Sequence, residues 1–108
     1  AFADHARVQP LVLPDHDRWN VQTYCVRIPA QLRDSVLQHL QEHGIGARRG
    51  IMAAHLEPAW HHIDGHALPH TEAWAHGSLA LPVCHDMTEA DVARVVGELS
   101  AALELAQP

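Results

Sequence analysis

Polar and apolar positions alternate along Val21-Gln22-Thr23-Tyr24-Cys25-Val26-Arg27-Ile28, with Tyr24, Val26 and Ile28 on one side, until Pro29 closes the run. A period of two with β-branched and aromatic content predicts a strand. From Gln31 the period lengthens. Leu32, Val36, Leu37 and Leu40 share one stripe up to His43, and Gly44 stands where a left-handed stop belongs. That spacing predicts an amphipathic helix over 31–43. Ile45 to Met52 is short and Gly-flanked, a strand that passes into a loop. The loop from Ala53 to Leu68 is long enough to be functional or unstructured, and not a mere connection. Pro69 suits the first turn of a short helix running to about His76, with Gly77 ending it. Ser78 to Val83 reads as a short apolar strand. Thr88 as N-cap, Asp91 as its capping-box partner and Met87 placed against Val92 open a last helix. Its stripe is Val92, Val95, Val96, Leu99, Ala102 and Leu103, with Arg94, Gly97, Glu98 and Glu104 outward.

The order strand, helix, strand, long loop, helix, strand, helix implies a small α/β layer, with helices on one face of a short sheet. Residues 1–19, which include Pro10 and Pro14, show no clean period and read as a lead-in or linker; 20–108 form the domain. The length of 108 residues suits a single core.

Composition changes this picture at one point above all. Arg7, Arg18, Arg27, Arg33, Arg48, Arg49 and Arg94 account for all seven basic residues, so the chain has no lysine. Schiff-base chemistry, a lysine general base and a phosphate-loop lysine are excluded. The net charge of −6, with no basic run beyond Arg48-Arg49, argues against nucleic acid as a partner. Protonating all 11 histidines would carry that charge from −6 to +5, so the surface should lose its acidic character below about pH 6.5. No apolar run approaches the ~18 residues that a membrane span needs, and no targeting pattern stands at Ala1. Cys25 and Cys84 are too few for a stapled secreted scaffold and read as buried thiols on strands in a reducing, cytoplasmic setting.

Six blocks are familiar in order and spacing: Asn20 to Arg27, Arg33-Asp34, Gly44 to His55, Glu57-Pro58-Ala59-Trp60, Leu68 to Glu72 with Leu79-Ala80-Leu81-Pro82, and Met87 to Asp91. Together they resemble the carboxy-terminal small domain of the DegT/DnrJ family of pyridoxal-phosphate-dependent sugar aminotransferases, closest to its perosamine-synthase-like branch. The resemblance runs from about Asn20 to Glu104. It implies the α+β two-layer small domain of a type-I aminotransferase, a short, mostly antiparallel sheet with helices packed on one face. It further implies a large domain, absent here, that binds the cofactor pyridoxal phosphate (PLP) and carries the catalytic lysine. This chain alone would bind no cofactor and would not be catalytic. The partners implied are that large domain, a second copy in a homo-oligomer, and a sugar-nucleotide substrate used in making amino sugars for cell-surface polysaccharide. Trp60 stands where the family commonly has tyrosine, and His85 where another aromatic or aliphatic residue is usual.

By position in the motif, Arg48, Arg49 and His55 are the substrate-binding candidates, since a guanidinium pairs with a carboxylate or phosphate in a bidentate fork. On a strand the two arginines face opposite ways, so at most one points into a site. The bland alternative has one solvated and the other in a surface ion pair. His61, His62, Asp64, His66 and His70 offer zinc-ligand chemistry, but Pro69 interrupts the helical spacing of His66 and His70, and no metal ligand is assigned. Trp74 is expected in the core and Trp60 is a candidate contact residue. Two further readings stand beside the aminotransferase one: a freestanding regulatory or binding module with this fold, and a histidine-rich metal-binding module. An isolated small domain is expected to self-associate through the apolar face that its large domain would cover.

Overall fold

The computed structural model describes residues 2, 5–12, 14–15, 18, 20–60 and 67–106. Within them four short strands form one sheet: β1 (Gln9–Pro10), β2 (Tyr24–Arg27), β3 (Arg48–Arg49) and β4 (Ser78–Leu81). The spatial order is β1-β2-β4-β3 and every neighbouring pair is antiparallel. Three helices accompany the sheet: α1 (Arg33–Glu42), α2 (Pro69–Gly77) and α3 (Glu89–Leu105). The periodicity predicts a small layer of helices on a short sheet, and the antiparallel α+β form observed is the one that the resemblance implies.

The register explains the two faces. Val26 pairs with Leu79 and Tyr24 with Leu81, so these apolar side chains share the face beneath α1 and α3. Leu40, Leu79, Leu99, Leu103, Val26 and Val36 are fully buried there. Each such burial stabilises by about 1.5–3 kcal/mol relative to exposure. On the other face lie Cys25 opposite Ala80, and Arg27 opposite Ser78.

Local signals mostly land where the periodicity puts them. Gly44 adopts φ 69°, the left-handed stop after α1. The helix itself begins later than expected, because Ala30–Leu32 is a 3-10 turn and α1 starts at Arg33. Thr88 caps α3 in a full capping box: its hydroxyl accepts from the Asp91 N–H at 3.2 Å, and Asp91 accepts from the Thr88 N–H at 2.8 Å. The Thr88 hydroxyl also donates to Asp91 Oδ2 at 2.6 Å, and this bond first, then that of the Thr88 N–H, holds the Asp91 carboxyl below its ordinary pKa. Gly77 does not end α2 by a positive φ. It is needed because a Cβ there would sit 2.7 Å from the Ile28 carbonyl oxygen, where α2 turns into β4.

Several expectations are corrected. The strand expected over 21–28 spans only Tyr24–Arg27, and the one expected over 45–52 shrinks to Arg48–Arg49. Val92, placed on the buried stripe of α3, is exposed. Trp74 is only half-buried and lies under the Arg27 guanidinium, 5.6 Å from ring centroid to carbon, instead of in the core. Cys84 is exposed in the turn after β4, not buried on a strand. The 1–19 segment contributes Phe2 and Val8 to the core and β1 to the sheet edge, with Pro10 on an outer strand that tolerates it.

Candidate functional site

Among the described residues between β3 and α2 there are two 3-10 turns, Ala54–Leu56 and Pro58–Trp60, neither of which buries a residue. Ile51, Met52, Leu56 and Trp60 are exposed, with Met52 at 77%. Ile51, Met52 and Leu56 line a hollow of about 200 Å³, which Arg33, Arg49, Glu57 and His76 rim. Its apolar floor and charged edge make it a candidate contact site, smaller than the roughly 300–1,000 Å³ of a closed small-molecule pocket.

The arginines at this rim are positioned from α1. Arg33 is buried because its guanidinium is satisfied: Nε donates to Asp34 Oδ1 at 3.0 Å and Nη1 to the Ala75 carbonyl at 2.7 Å. The second bond ties α1 to the last turn of α2. Arg49 Nη2 lies 3.5 Å from the other Asp34 oxygen, with the side chain 61% exposed. At that exposure the pair with Asp34 is weak, so the Arg49 fork keeps donors for an external anion.

The sheet register separates the two arginines. Arg49 pairs with Leu79 and Arg48 with Ala80, so they project from opposite faces. Arg48 is exposed, forms no ion pair with another described residue, and stands near Cys25. Burial raises the Cys25 thiol above its ordinary pKa, and the charge of Arg48 opposes that only in part. The thiol is therefore a poor nucleophile.

His55 is brought to α2. Its Nε2 lies 3.1 Å from Glu72 Oε1, and the same carboxylate oxygen accepts the Leu68 N–H at 3.1 Å. Both bonds pull Glu72 below its ordinary pKa, the backbone one most. Glu72 thus closes the first turn of α2 and pins the 3-10 turn onto it. Of the three candidates, Arg49 lines the hollow, whereas Arg48 and His55 are not among its described lining residues. Of the histidine-rich loop, His61, His62, Asp64 and His66 lie outside the described residues, and His70 is exposed on α2. Asp34 and Glu72 carry little local signal of these roles, since Asp34 meets Arg49 15 residues further on and Glu72 meets His55 17 residues earlier; the Arg33-Asp34 dipeptide is the one signal in the sequence.

Comparison with known proteins decides the family. Residues 1–100 match the DegT/DnrJ/EryC1/StrS aminotransferase family. The chain belongs to this family. The aminotransferase TlmJ from Streptoalloteichus hindustanus is 28% identical with a TM-score of 0.80, over 94% of this chain and 28% of that one. Spr1654 from Streptococcus pneumoniae, assigned as a sugar aminotransferase and solved in its PMP form, is 19% identical with a TM-score of 0.78, over 98% and 28%. Helicobacter pylori PseC, an aminotransferase of pseudoaminic acid biosynthesis, is 17% identical with a TM-score of 0.85, over 96% and 29%. The last two share the fold alone. This chain therefore spans between a quarter and a third of the length of these DegT/DnrJ relatives.

Members of the family use PLP. The donor set of this chain does not fit an anchor for it, because an imine to the cofactor needs a primary amine and no lysine is present. None of the described helices is long and apolar enough to cross a membrane.

Proposed function

We propose that the chain is the C-terminal small domain of a PLP-dependent nucleotide-sugar aminotransferase of the perosamine-synthase-like branch, which serves amino-sugar and cell-surface polysaccharide synthesis in the cytoplasm. The observation that carries the reading is the pairing of near-complete coverage of this chain with about 28% coverage of TlmJ. A lysine-free piece of that size fits a domain that shapes the active site while another domain holds the cofactor.

Residues 1–19 then lead out of the large domain, and 20–108 form the small one. The exposed Ile51, Met52 and Leu56 suit packing against that domain or a second subunit of a homo-oligomer. Arg49 is the substrate-facing arginine, offering its free donors to a phosphate or carboxylate of the sugar nucleotide. Arg48, on the other sheet face, meets a different surface. His55 acts through Glu72 by holding the 3-10 turn in place beside the hollow.

The test uses the intact enzyme. Arg49→Ala should raise KM for the nucleotide sugar at least tenfold while kcat changes little, and Arg48→Ala should leave KM near its original value. Equal effects of the two replacements overturn the assignment of Arg49. The domain reading itself fails if the open reading frame starts immediately ahead of Ala1, or if this chain alone turns over an amino donor.

A further inference from the structure

Away from the hollow, α1 and α3 bring two imidazoles and a carboxylate to one point. His39 and His43 are four residues apart on α1, and their rings stack with centroids 4.1 Å apart and planes 23° from parallel. Glu98 of α3 faces both: its Oε2 lies 3.0 Å from His39 Nε2 and 3.9 Å from His43 Nε2. One ligand atom from each residue falls within 4.8 Å of the others.

The tautomer of His43 is set by the backbone. Its Nδ1 lies 2.8 Å from the His39 carbonyl oxygen, which can only accept, so Nδ1 carries the proton. In a neutral ring the Nε2 lone pair is then bare and turned toward a carboxylate oxygen, itself an acceptor. Two acceptors 3.9 Å apart need a donor or a cation between them, and a water, a proton or a metal ion can fill that place. The second-nitrogen bond to a carbonyl is also the arrangement that orients metal-ligating histidines.

We propose that His39, His43 and Glu98 form a binding site for a divalent transition metal of the zinc class, which links α1 to α3. Two imidazoles and a carboxylate are zinc donors, and tetrahedral ligation at about 2.0–2.2 Å places ligand atoms about 3.4 Å apart. The 3.0 and 3.9 Å separations bracket that value. His43 is 44% exposed, which leaves it free to adjust and leaves room for water to complete the coordination. Arg94 of α3 donates to the His43 carbonyl and not to a ligand atom, so the three donor atoms are left to the ion. The proposal is independent of the aminotransferase reading.

The experiment is a calorimetric titration of Zn²⁺ into the intact, chelator-treated protein at neutral pH, for the original sequence and for His43→Ala, Glu98→Gln and His70→Ala. One equivalent should bind, with affinity falling at least tenfold in His43→Ala and in Glu98→Gln and unchanged in His70→Ala. Co²⁺ in place of Zn²⁺ should give the visible absorption of a low-coordinate site, lost in the same two variants. His43 is a half-exposed surface residue and Glu98→Gln is isosteric, so both variants should keep the original circular dichroism. Failure of zinc to bind, or binding that survives both replacements, overturns the site.

Discussion

The α1–α3 layer and the segment from Gly50 to His76 belong to one chain and obey opposite rules. In the layer, apolar side chains at helical and strand spacing are consumed by one another: Leu40, Leu79, Leu99 and Leu103 are fully buried. Among the described residues of the segment, Ala53 is the one buried apolar side chain, while Ile51, Met52, Leu56 and Trp60 face outward. Its shape is held by directional polar contacts, His55 and Leu68 on Glu72 and the Ile51 N–H on the Ser78 hydroxyl. Burial is non-directional and sets stability, whereas hydrogen bonds set geometry at little net gain. The first region is built to persist and the second to present a surface.

Substitutions should separate the two regions sharply. Leu99→Ala should cost about 2–5 kcal/mol in urea unfolding, because it leaves a cavity between α3 and the sheet. Leu56→Ala, on a residue already 46% exposed, should stay within about 0.5 kcal/mol unless a partner covers it. A large cost at Leu56 in the intact protein, with none in the isolated chain, would show directly that another body packs on the hollow. Gly77→Ala lies at the junction of the regions and should cost about 1–3 kcal/mol, since the new methyl must displace the Ile28 carbonyl or the Arg27 stem. Thr88→Ala removes one acceptor at the start of α3 and should cost about 1 kcal/mol by thermal or urea unfolding.

The smallest effects are those of pH. The folded-state pKa values of Glu72 and Asp91 are lowered, so each carboxylate stabilises above its unfolded pKa, and that share is lost as pH falls through the folded value. Glu72→Gln and Asp91→Asn should therefore destabilise at neutral pH, and the difference from the original sequence should shrink as the pH falls below the ordinary carboxylate range, read by unfolding at each pH. For Glu72 the loss should be local, seen as faster amide exchange at Leu68, and for Asp91 it should appear at the start of α3.

Legibility in the sequence follows the same division. Elements whose signal is local were readable: Gly44 as a stop, Thr88 and Asp91 as a cap, the stripes of α1 and α3. The edge strand β1 was not, because two residues carry no period and Pro10 argues against a strand until its outer position is known. Trp74 misled because a large aromatic on a short helix reads as core, while its ring in fact meets Arg27. At the hollow, the opposed faces of Arg48 and Arg49 followed from strand geometry. Which of them meets the hollow depended on Asp34 and on the pairing of β3 with β4. The i, i+4 pair His39 and His43 was present in the sequence, but Glu98 lies 55 residues beyond His43 with nothing to link them.

By itself the sequence determined the helical stripes, the turn and cap residues, the family blocks and the lack of any lysine, because each is a property of identity or of neighbours a few residues apart. Tertiary structure decided which face of the sheet each arginine occupies, what covers Trp74, and which carboxylate stands before each histidine. Those depend on strand register and on the docking of α1 against α2 and α3, and a side chain's chemistry is set by what packing brings within a few ångströms of it.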